Sequence, residues 1–176
     1  MSGHNKWSKI KNKKAVTDAQ KAKNFTKLVR FITVESKKSK GDVNSPGLRS
    51  AIEKAKEGNL PNDNIERAIK KGLGNEAGSM EEITYEAYGP GGCALIIESL
   101  TDSRNRAAQE IKHILSKNGY ELASQGSAAW AFSKTHEGWT PNVMAQISED
   151  DGVKLQTLID ELEENDEVQE VYTNAE

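Results

Sequence analysis

Residues 82–97, EITYEAYGPGGCALII, decide the fold of this chain. An alternating stretch at 82–88 is followed by the four-residue turn GPGG and then by the continuous apolar run 93–97. Alternation is typical of a half-buried strand, and a short apolar run bounded by turn residues is typical of a fully buried one. GPGG lacks both the Lys-Ser/Thr of a phosphate loop and the spacing of GxGxxG, so we interpret it as a turn. The stretch therefore predicts a β-hairpin.

The residues that follow the hairpin continue an α+β pattern. A helix is predicted from a cap at Thr101 or Asp102 to a stop at Gly119, and the next predicted strand covers residues 127–132. We then expect a short strand at 143–147, an acidic helix and a last strand near 168–172. The alternating apolar positions of the 127–132 strand are Ala128, Trp130 and Phe132, and those of the acidic helix are Leu155, Leu158, Ile159 and Leu162. This pattern predicts an acidic α+β domain at residues 80–176 with a mainly antiparallel sheet.

The residues that precede the hairpin predict three short amphipathic helices. The first runs from Asp18 to about Lys38, the second from a Ser45-Pro46 cap to Gly58, and the third from a cap at Asn62 or Asp63 to Gly72. The apolar stripe of the first helix consists of Phe25, Leu28, Val29 and Ile32. Because each helix has one apolar stripe, we expect a three-helix domain at residues 1–75, joined to the second domain by the glycine-containing residues 73–80.

The net charge of −3 conceals a strong asymmetry along the chain. Residues 1–71 contain 18 Lys and Arg against 7 Asp and Glu, whereas residues 72–176 contain 6 against 20. Binding to a polyanion depends on the local electrostatic field rather than on the charge of the whole chain. The first half is therefore predicted to bind nucleic acid.

The basic residues are densest in SGHNKWSKIKNKKA, residues 2–15. Lysines neutralise phosphates and release counterions, and an aromatic ring can stack on an exposed base. A solvated tail with the tryptophan docked on the helices is the alternative. The predicted nucleic-acid contacts in the first domain are Lys6, Trp7, Lys9, Lys11, Lys13, Lys14, Lys23, Lys27 and Arg30.

Arg104 and Arg106 lie in the first turn of a predicted helix, within TDSRNR at residues 101–106. Each arginine there opposes the helix dipole by about 0.3–1 kcal/mol, which suggests that an anion is bound beside them. The alternative is that both brace the fold, Arg106 by pairing with Glu110 and Arg104 by pairing with Glu98. The two interpretations remain open at this point.

Several classes of protein have little support in the sequence. Cys93 is the only cysteine, so one chain cannot form an internal disulfide or a CxxC pair, and His4, His113 and His136 lack the spacing of metal ligands. No nucleophile-base pair stands out, and no apolar run is long enough for a membrane span. We therefore expect a cytoplasmic, non-enzymatic protein with no cofactor, no metal, no small-molecule substrate and no membrane contact.

Five segments of the chain, in order, resemble one known family. They are GHNKWSKIKNKKA, NFTKLVRFIT, LPNDNIERAIKKGLG, YEAYGPGGCALIIESLTDSRNR and LEENDEVQEVYTNAE. On these segments the chain is similar to the YebC family, which includes the mitochondrial translational activator of cytochrome c oxidase. The resemblance extends over almost the whole chain.

The resemblance implies a helical domain followed by α+β domains, no catalytic chemistry and a role in gene expression. Some members of the family are described as DNA-binding transcriptional regulators. Others resemble translation factors that bind ribosomal RNA on the large ribosomal subunit and relieve stalls at proline-rich stretches. The family's basic motif falls on Lys6, Trp7, Lys9, Lys11, Lys13, Lys14 and Lys27, and its arginine motif on Arg104 and Arg106.

This chain departs from the family pattern after residue 132. Typical members carry a ferredoxin-like domain there, whereas this chain has only residues 133–138 before Trp139. No predicted helix carries a pattern of base-reading Arg, Asn or Gln, which favours recognition of the nucleic-acid backbone. We expect a DNA-binding transcriptional regulator; the alternatives are a ribosome-associated translation factor and a protein-interaction module whose acidic half binds a basic partner.

Overall fold

The computed structural model describes residues 18–74, 80–135 and 138–176, in which the chain forms five α-helices and six strands. These residues fall into two compact units that divide near Glu81, with Leu100–Ser103 grouped with the helices. In chain order the elements are α1 (Asp18–Ser39), α2 (Pro46–Glu57), α3 (Asn62–Leu73), β1 (Glu81–Tyr88), β2 (Ala94–Thr101), α4 (Arg104–Lys117), β3 (Leu122–Ala123), β4 (Phe132–Thr135), β5 (Gly138–Pro141), α5 (Glu149–Glu164) and β6 (Val168–Thr173).

The helix boundaries of the first unit follow from local backbone chemistry. Ser45 is the N-cap of α2, Pro46 follows at the first helical position, and the N–H of Gly58 closes the helix on the carbonyl of Lys54. The predicted cap of the third helix at Asn62 or Asp63 is wrong by one or two residues. Pro61 is the N-cap, because its carbonyl accepts the first helical hydrogen bonds, from the N–H groups of Asn64 and Ile65.

The three helices bury one shared apolar core. The stripe predicted for the first helix lies on this side of α1, with Ile32 fully buried and Phe25, Leu28 and Val29 partly buried against the same core. Several of the buried positions are alanine, which lets the helix backbones approach closely. The core residues are Ile32, Leu48, Ala51, Ala55, Leu60, Ile65 and Ala68.

Helices α1 and α3 approach most closely at Gly72. The Ser36 hydroxyl donates to the carbonyl oxygen of Ile69 at 2.7 Å, and the Thr33 hydroxyl lies 3.4 Å from the carbonyl oxygen of Ala68. A Cβ atom on Gly72 would lie 2.5 Å from the carbonyl oxygen of Thr33 and 2.6 Å from Cβ of Ser36. Only glycine therefore allows this approach.

The C-terminal ends of α1 and α3 lie side by side as a result. Gly41, two residues beyond α1, packs against the side chain of Leu73, the last residue of α3. A Cβ on Gly41 would lie 3.0 Å from the Leu73 methyl groups. The N–H of Gly41 returns to the carbonyl of Ser36 at 2.8 Å and ends α1 in a tight turn.

The second unit is built on a four-stranded sheet in the order β3-β1-β2-β6. Strands β2 and β6 are antiparallel, as are β1 and β3. The predicted hairpin is confirmed, since β1 and β2 are neighbours joined by the Gly89–Gly92 turn, in which Gly91 and Gly92 have φ of +69° and +77°. The backbone N–H of Gly89 donates to the carbonyl of Cys93 at 2.8 Å and closes the turn.

Different elements cover the two faces of this sheet. Helices α4 and α5 pack on one face, where the predicted apolar positions of α5 are all buried. Strands β4 and β5 pair with each other and pack on the other face, where Phe132 and Trp139 meet edge to face at 6.5 Å and lie beside Ile96 and Tyr172. The prediction of an α+β fold with three N-terminal helices and a mainly antiparallel sheet is confirmed.

The predicted strand at 127–132 is wrong over most of its length. Residues Ala129–Ala131 form a 3-10 turn, and the strand begins only at Phe132. The cause is the buried carboxylate of Glu86, which accepts hydrogen bonds from the N–H groups of Gly126, Ala128 and Ala129 at 2.6, 2.7 and 2.8 Å. Three N–H groups that converge on one carboxylate cannot also donate to a strand ladder.

Trp130 consequently does not face the core, as the alternating pattern had suggested. Its side chain is 61% exposed, and its indole N–H donates to the Tyr88 hydroxyl at 3.1 Å. The Tyr88 hydroxyl in turn donates to the carbonyl of Ser127. The aromatic pair is therefore tied to the turn that Glu86 organises.

The predicted strand at 143–147 is also wrong. Only a single parallel bridge forms there, between Ala145 and Ala175. The N–H groups of Asn142 and Val143 both point to the carbonyl of Ala131, and the Asn174 side chain donates to the carbonyl of Val143. These bonds hold the segment in an irregular path that a regular ladder cannot follow.

Two short strand pairs were missed by the sequence analysis. Strand β3 is only two residues long, and β4 pairs with β5 in a hairpin whose register runs from Phe132 opposite Pro141 to Thr135 opposite Gly138. This hairpin occupies the place where the sequence departs from the family pattern. Periodicity could not indicate it, because strands of two to four residues carry too few alternations.

We expect Gly72→Ala to destabilise the protein by about 1–3 kcal/mol, because the added methyl group forces the two helices apart. This outcome is opposite in sign to the gain of up to about 1 kcal/mol that alanine gives in an unconstrained helix. Urea unfolding measures it. Gly74→Ala is the matched control, since Gly74 is exposed and has a φ of −86°; equal stability of the two variants would contradict the close approach.

We expect Glu86→Gln to cost about 1–3 kcal/mol at neutral pH, because an amide nitrogen then faces a backbone donor. Burial acts to raise the pKa of Glu86, but the three N–H donors outweigh it and hold the pKa below its usual range. The stabilisation is therefore complete above the unfolded-state pKa of about 4.3 and is lost as pH falls through the lower folded value.

Urea unfolding as a function of pH checks this expectation. The difference in the free energy of unfolding between the wild type and Glu86→Gln should shrink as the pH falls below about 4. Glu121→Gln, at an exposed position of the same unit, serves as the control and should change stability little. A difference that does not depend on pH would contradict the role of the charged carboxylate.

Candidate nucleic-acid interface

The most basic part of the predicted interface lies outside the described residues. Lys6, Trp7, Lys9, Lys11, Lys13 and Lys14 all precede Asp18, the first residue that the structure describes. Their role stays a prediction from sequence. The geometry of the interface is therefore built from the residues of the three helices.

Lys23, Lys27 and Arg30 lie on one face of α1, at i, i+4 and i+7. This face is opposite the apolar stripe that contains Ile32, as the spacing predicted. Lys23 is exposed, whereas Lys27 and Arg30 are half-buried. The structure thus brings the three predicted residues together on one side of the longest helix described.

The charge asymmetry of the sequence persists in the folded units. The helical residues 18–74 contain 13 Lys and Arg against 7 Asp and Glu, and the described residues from 80 onward contain 6 against 18. Ion pairs of 4.0 Å or less on the helical unit include Lys21 with Asp18, Lys38 with Glu35 and Arg49 with Glu53. Because acidic side chains are fewer than basic ones, the helical unit keeps a net positive field.

Arg106 contacts a carboxylate that its position in the sequence did not suggest. Its guanidinium lies 2.7 and 2.8 Å from Oε1 of Glu167, which is 61 residues away in the chain. The Glu167 side chain is 6% exposed, and its Oε2 is buried without a hydrogen-bond partner. A buried carboxylate needs a cation or several hydrogen-bond donors beside it, and the guanidinium of Arg106 supplies the cation here, so Arg106 braces the second unit.

Arg104 occupies a different environment. It lines an open groove of about 440 Å³ beside β1 and β3, together with Glu82, Thr84 and Glu86. The preceding turn is organised by Thr101, whose hydroxyl accepts from the N–H of Ser103 at 2.9 Å, so α4 begins at Arg104 rather than directly after Thr101 or Asp102. The two arginines are therefore neighbours in sequence with separate surroundings.

The partners that the sequence suggested for these arginines have contacts of their own. Glu110 accepts a hydrogen bond from the Asn165 side chain at 2.8 Å. Glu98 accepts from the indole N–H of Trp139 at 2.9 Å and lies 3.7 Å from Lys134. Glu86 and Glu167 were missed by the sequence analysis, because an acidic residue within a strand or directly before one carries no signal of which group it will bind.

Two reactive groups of the second unit are kept protonated by their surroundings. Burial raises the pKa of the Cys93 thiol. Burial and the neighbouring carboxylates Glu170 and Glu98 raise the pKa of the Tyr172 hydroxyl. Neither group is therefore prepared to act as a nucleophile at neutral pH.

Neither a metal site nor a membrane-spanning helix is found in the part of the chain that the structure describes. In residues 18–74, 80–135 and 138–176, no group of three or more His, Cys, Asp and Glu side chains is arranged to hold a metal ion. Within the same ranges, no helix combines the length and the apolar character needed to cross a bilayer.

Comparison with known families covers nearly all of the chain. Residues 5–75 match the TACO1/YebC protein N-terminal domain. Residues 80–137 and 134–175 match the TACO1/YebC second and third domain, and these two segments meet at the β4–β5 hairpin. Both units of the structure are thus matched by the same family.

Individual relatives agree with this assignment. A probable transcriptional regulatory protein of Desulfosudis oleivorans is 47% identical over 100% of this chain and 72% of its own length. A protein of the same description from Fervidobacterium nodosum is 49% identical over 96% of this chain and 68% of its own length.

A solved structure extends the agreement to the fold. The crystal structure of a conserved hypothetical protein, Aq1575 of Aquifex aeolicus, superposes with a TM-score of 0.80 at 31% identity, over 90% of this chain and 91% of that one. With both domain matches, close relatives along the whole chain and a shared fold, this chain belongs to the TACO1/YebC family.

Proposed function

We propose that this chain is a non-enzymatic regulator of gene expression that binds the phosphate backbone of nucleic acid through its helical unit. The observation that carries the proposal is the excess of basic over acidic residues on that unit, 13 against 7, whereas the second unit is acidic. Polyanion binding follows the local field, so the helical unit is the surface that attracts phosphates. The relatives' description as probable transcriptional regulatory proteins supports DNA as the target.

The kind of basic residue favours recognition of the backbone rather than of base sequence. Ten of the 13 basic residues in 18–74 are lysines. Lysine is a compact point charge that contacts phosphate, whereas sequence is read mainly by the bidentate groups of Arg, Asn and Gln. We therefore expect binding that depends little on base sequence.

Backbone recognition also makes ribosomal RNA a second candidate target. Contacts to phosphates position a protein without distinguishing DNA from RNA strongly. Sedimentation of cell lysate through a sucrose gradient separates the candidates. Co-migration with the large ribosomal subunit that is lost after ribonuclease treatment would favour ribosomal RNA over DNA.

A non-enzymatic role is supported by the state of the reactive groups. The Cys93 thiol is buried and protonated, and the Tyr172 hydroxyl donates to Glu170 at 2.9 Å. Charged side chains of the second unit take part in bracing contacts, of which Arg106 with Glu167 is the most buried. We propose that this unit acts as a scaffold or as a contact for other proteins, and that phosphate binding belongs to the helices.

The full-length chain is expected to bind a short duplex DNA with an affinity that falls linearly with salt on logarithmic axes. The expected slope is about −0.9 for each phosphate contacted, and fluorescence anisotropy measures it. Lysine acetylation footprinting on the same complex should protect lysines of residues 18–74. Lys112 and Lys154 of the second unit are the internal controls and should stay reactive. Failure to bind, or protection confined to these two lysines, would contradict the proposal.

Arg104 and Arg106 are expected to have different roles, which substitution of each by glutamine would reveal. Arg106→Gln should lower the free energy of unfolding by about 1–3 kcal/mol, a value reduced for its 48% exposure, and should leave nucleic-acid binding unchanged. Arg104→Gln should make the salt slope shallower by about 1 if Arg104 contacts a phosphate.

Thermal melts and anisotropy titrations of the same preparations check both arginine variants. Lys112→Gln, at an exposed position on the same helix, is the control. Weakened binding by Arg106→Gln without loss of stability would show that Arg106 contacts nucleic acid rather than bracing the fold.

A further inference from the structure

The side-by-side ends of α1 and α3 create an unusual electrostatic situation. The last carbonyl groups of a helix have no partner within it, and each C-terminus carries about half a negative charge. Gly41 and Leu73 hold the two C-terminal ends in contact. The joined ends therefore bear about one negative charge in total.

Five lysines lie at these joined ends. Two are in the last turn of α1, one follows that helix, and two are in the last turn of α3; all five are exposed. They are Lys37, Lys38, Lys40, Lys70 and Lys71, and we call them the lysine cluster. No other part of the described helical residues 18–74 brings as many basic residues to the ends of two contacting helices.

The acidic groups near the lysine cluster do not balance it. Lys38 pairs with Glu35 at 2.8 Å, and Asp42 accepts a hydrogen bond from the N–H of Asn44. Among the described residues, these two carboxylates and about one negative charge from the helix ends leave the five lysines with an excess of about two positive charges. The lysine cluster therefore exceeds what the helix dipoles require.

Within the described residues, three of the five lysines have no carboxylate to pair with. Among the residues that the structure describes, no carboxylate oxygen lies within 4.0 Å of the ammonium groups of Lys40, Lys70 or Lys71. An exposed lysine without a partner has its three N–H donors available to a ligand. These three side chains are the available part of the cluster.

The backbone at Lys40 gives an independent indication. Its φ is +53°, in the left-handed region that asparagine or glycine adopts with the least strain, and it directly precedes Gly41. If this position served only to end the helix in a turn, asparagine or glycine would give a more stable protein than lysine. The lysine side chain therefore has a use at this position that offsets the strained backbone.

We infer that Lys40, Lys70 and Lys71, flanked by Lys37 and Lys38, form a phosphate-binding site for the backbone of a nucleic acid. The inference rests on the proposed function for the identity of the ligand and adds where on the helical unit the phosphates bind. Lysines from two helices can contact neighbouring phosphates of one strand, because the packed helix axes lie only about 8–10 Å apart.

The test compares two triple variants of the full-length chain on a short duplex DNA and a duplex RNA of the same sequence. The cluster variant carries Lys40→Gln, Lys70→Gln and Lys71→Gln. The control variant carries Lys21→Gln, Arg49→Gln and Lys56→Gln, which removes the same charge from exposed positions in the first turn of α1 and on α2. A third variant with arginine at the three cluster positions keeps the charge.

The cluster variant is expected to show a salt slope shallower by about 2–3 units on DNA, with weaker binding at every salt concentration. The control variant should shift the slope by less than about one unit, and the arginine variant should bind like the wild type. Circular dichroism melts of all four proteins establish that they are folded.

Several results would overturn the site. Equal losses in the cluster and control variants would show that only the overall field matters, and the proposed function would still stand. Cluster-dependent binding of polyglutamate but not of nucleic acid would assign the cluster to an acidic protein partner. Absence of salt-dependent binding by the wild type would remove the proposed function itself.

Discussion

The close approach of two helix backbones at Gly72 is the constraint on which the helical unit depends. Gly72 leaves room for the backbone of Thr33 and for Ser36, and the Ser36 hydroxyl donates to the carbonyl of Ile69 on the opposite helix. The Thr33 hydroxyl donates to the carbonyl of Val29 within its own helix. This close packing determines which ends of α1 and α3 lie together, and therefore where the lysines at those ends are located. The contact at Gly72 thus determines both the packing of the two helices and the position of the lysines at their ends.

Two buried carboxylates have a comparable role in the sheet unit. Glu86 satisfies three backbone N–H groups of a turn, and Glu167 accepts the guanidinium of Arg106. Both carboxylates are strongly desolvated, so each holds its partner in one place. Loss of the partner would leave a buried charge unpaired and would lower the free energy of unfolding strongly. Some acidic residues of this unit are therefore present because the fold requires them. The repulsion of phosphates follows from this composition and is not its only cause.

Most of the fold could be predicted because long periodic segments specify their elements. The three N-terminal helices, the Gly89–Gly92 hairpin, the acidic helix α5 and the strand β6 all follow from apolar spacing and glycine or proline boundaries. The predictions failed at 127–132, where alternation of alanine and aromatic residues imitates a strand, and at 143–147, where a short apolar segment does so. In both places hydrogen bonds from distant residues determine the path, and local periodicity does not contain them.

The candidate site was predictable to a smaller degree. The common face of Lys23, Lys27 and Arg30 follows from helical spacing, and the structure places them on it. The partner of Arg106 could not be predicted, because a contact over 61 residues depends on where β6 begins. The packing of the helix ends that carry Lys40, Lys70 and Lys71 could not be predicted either, because the sequence of one helix alone does not determine which ends pack together.

The β4–β5 hairpin shows how members of this family can differ in size without differing in core. Thr135 and Gly138 are paired across the hairpin, so the chain leaves the sheet unit and returns to it at adjacent points. Extra residues between two such points add only the slowly growing entropy of a longer loop and leave the surrounding pairs in place. Additional residues can therefore be accommodated at this position while Phe132 and Trp139 continue to cover the same face of the sheet.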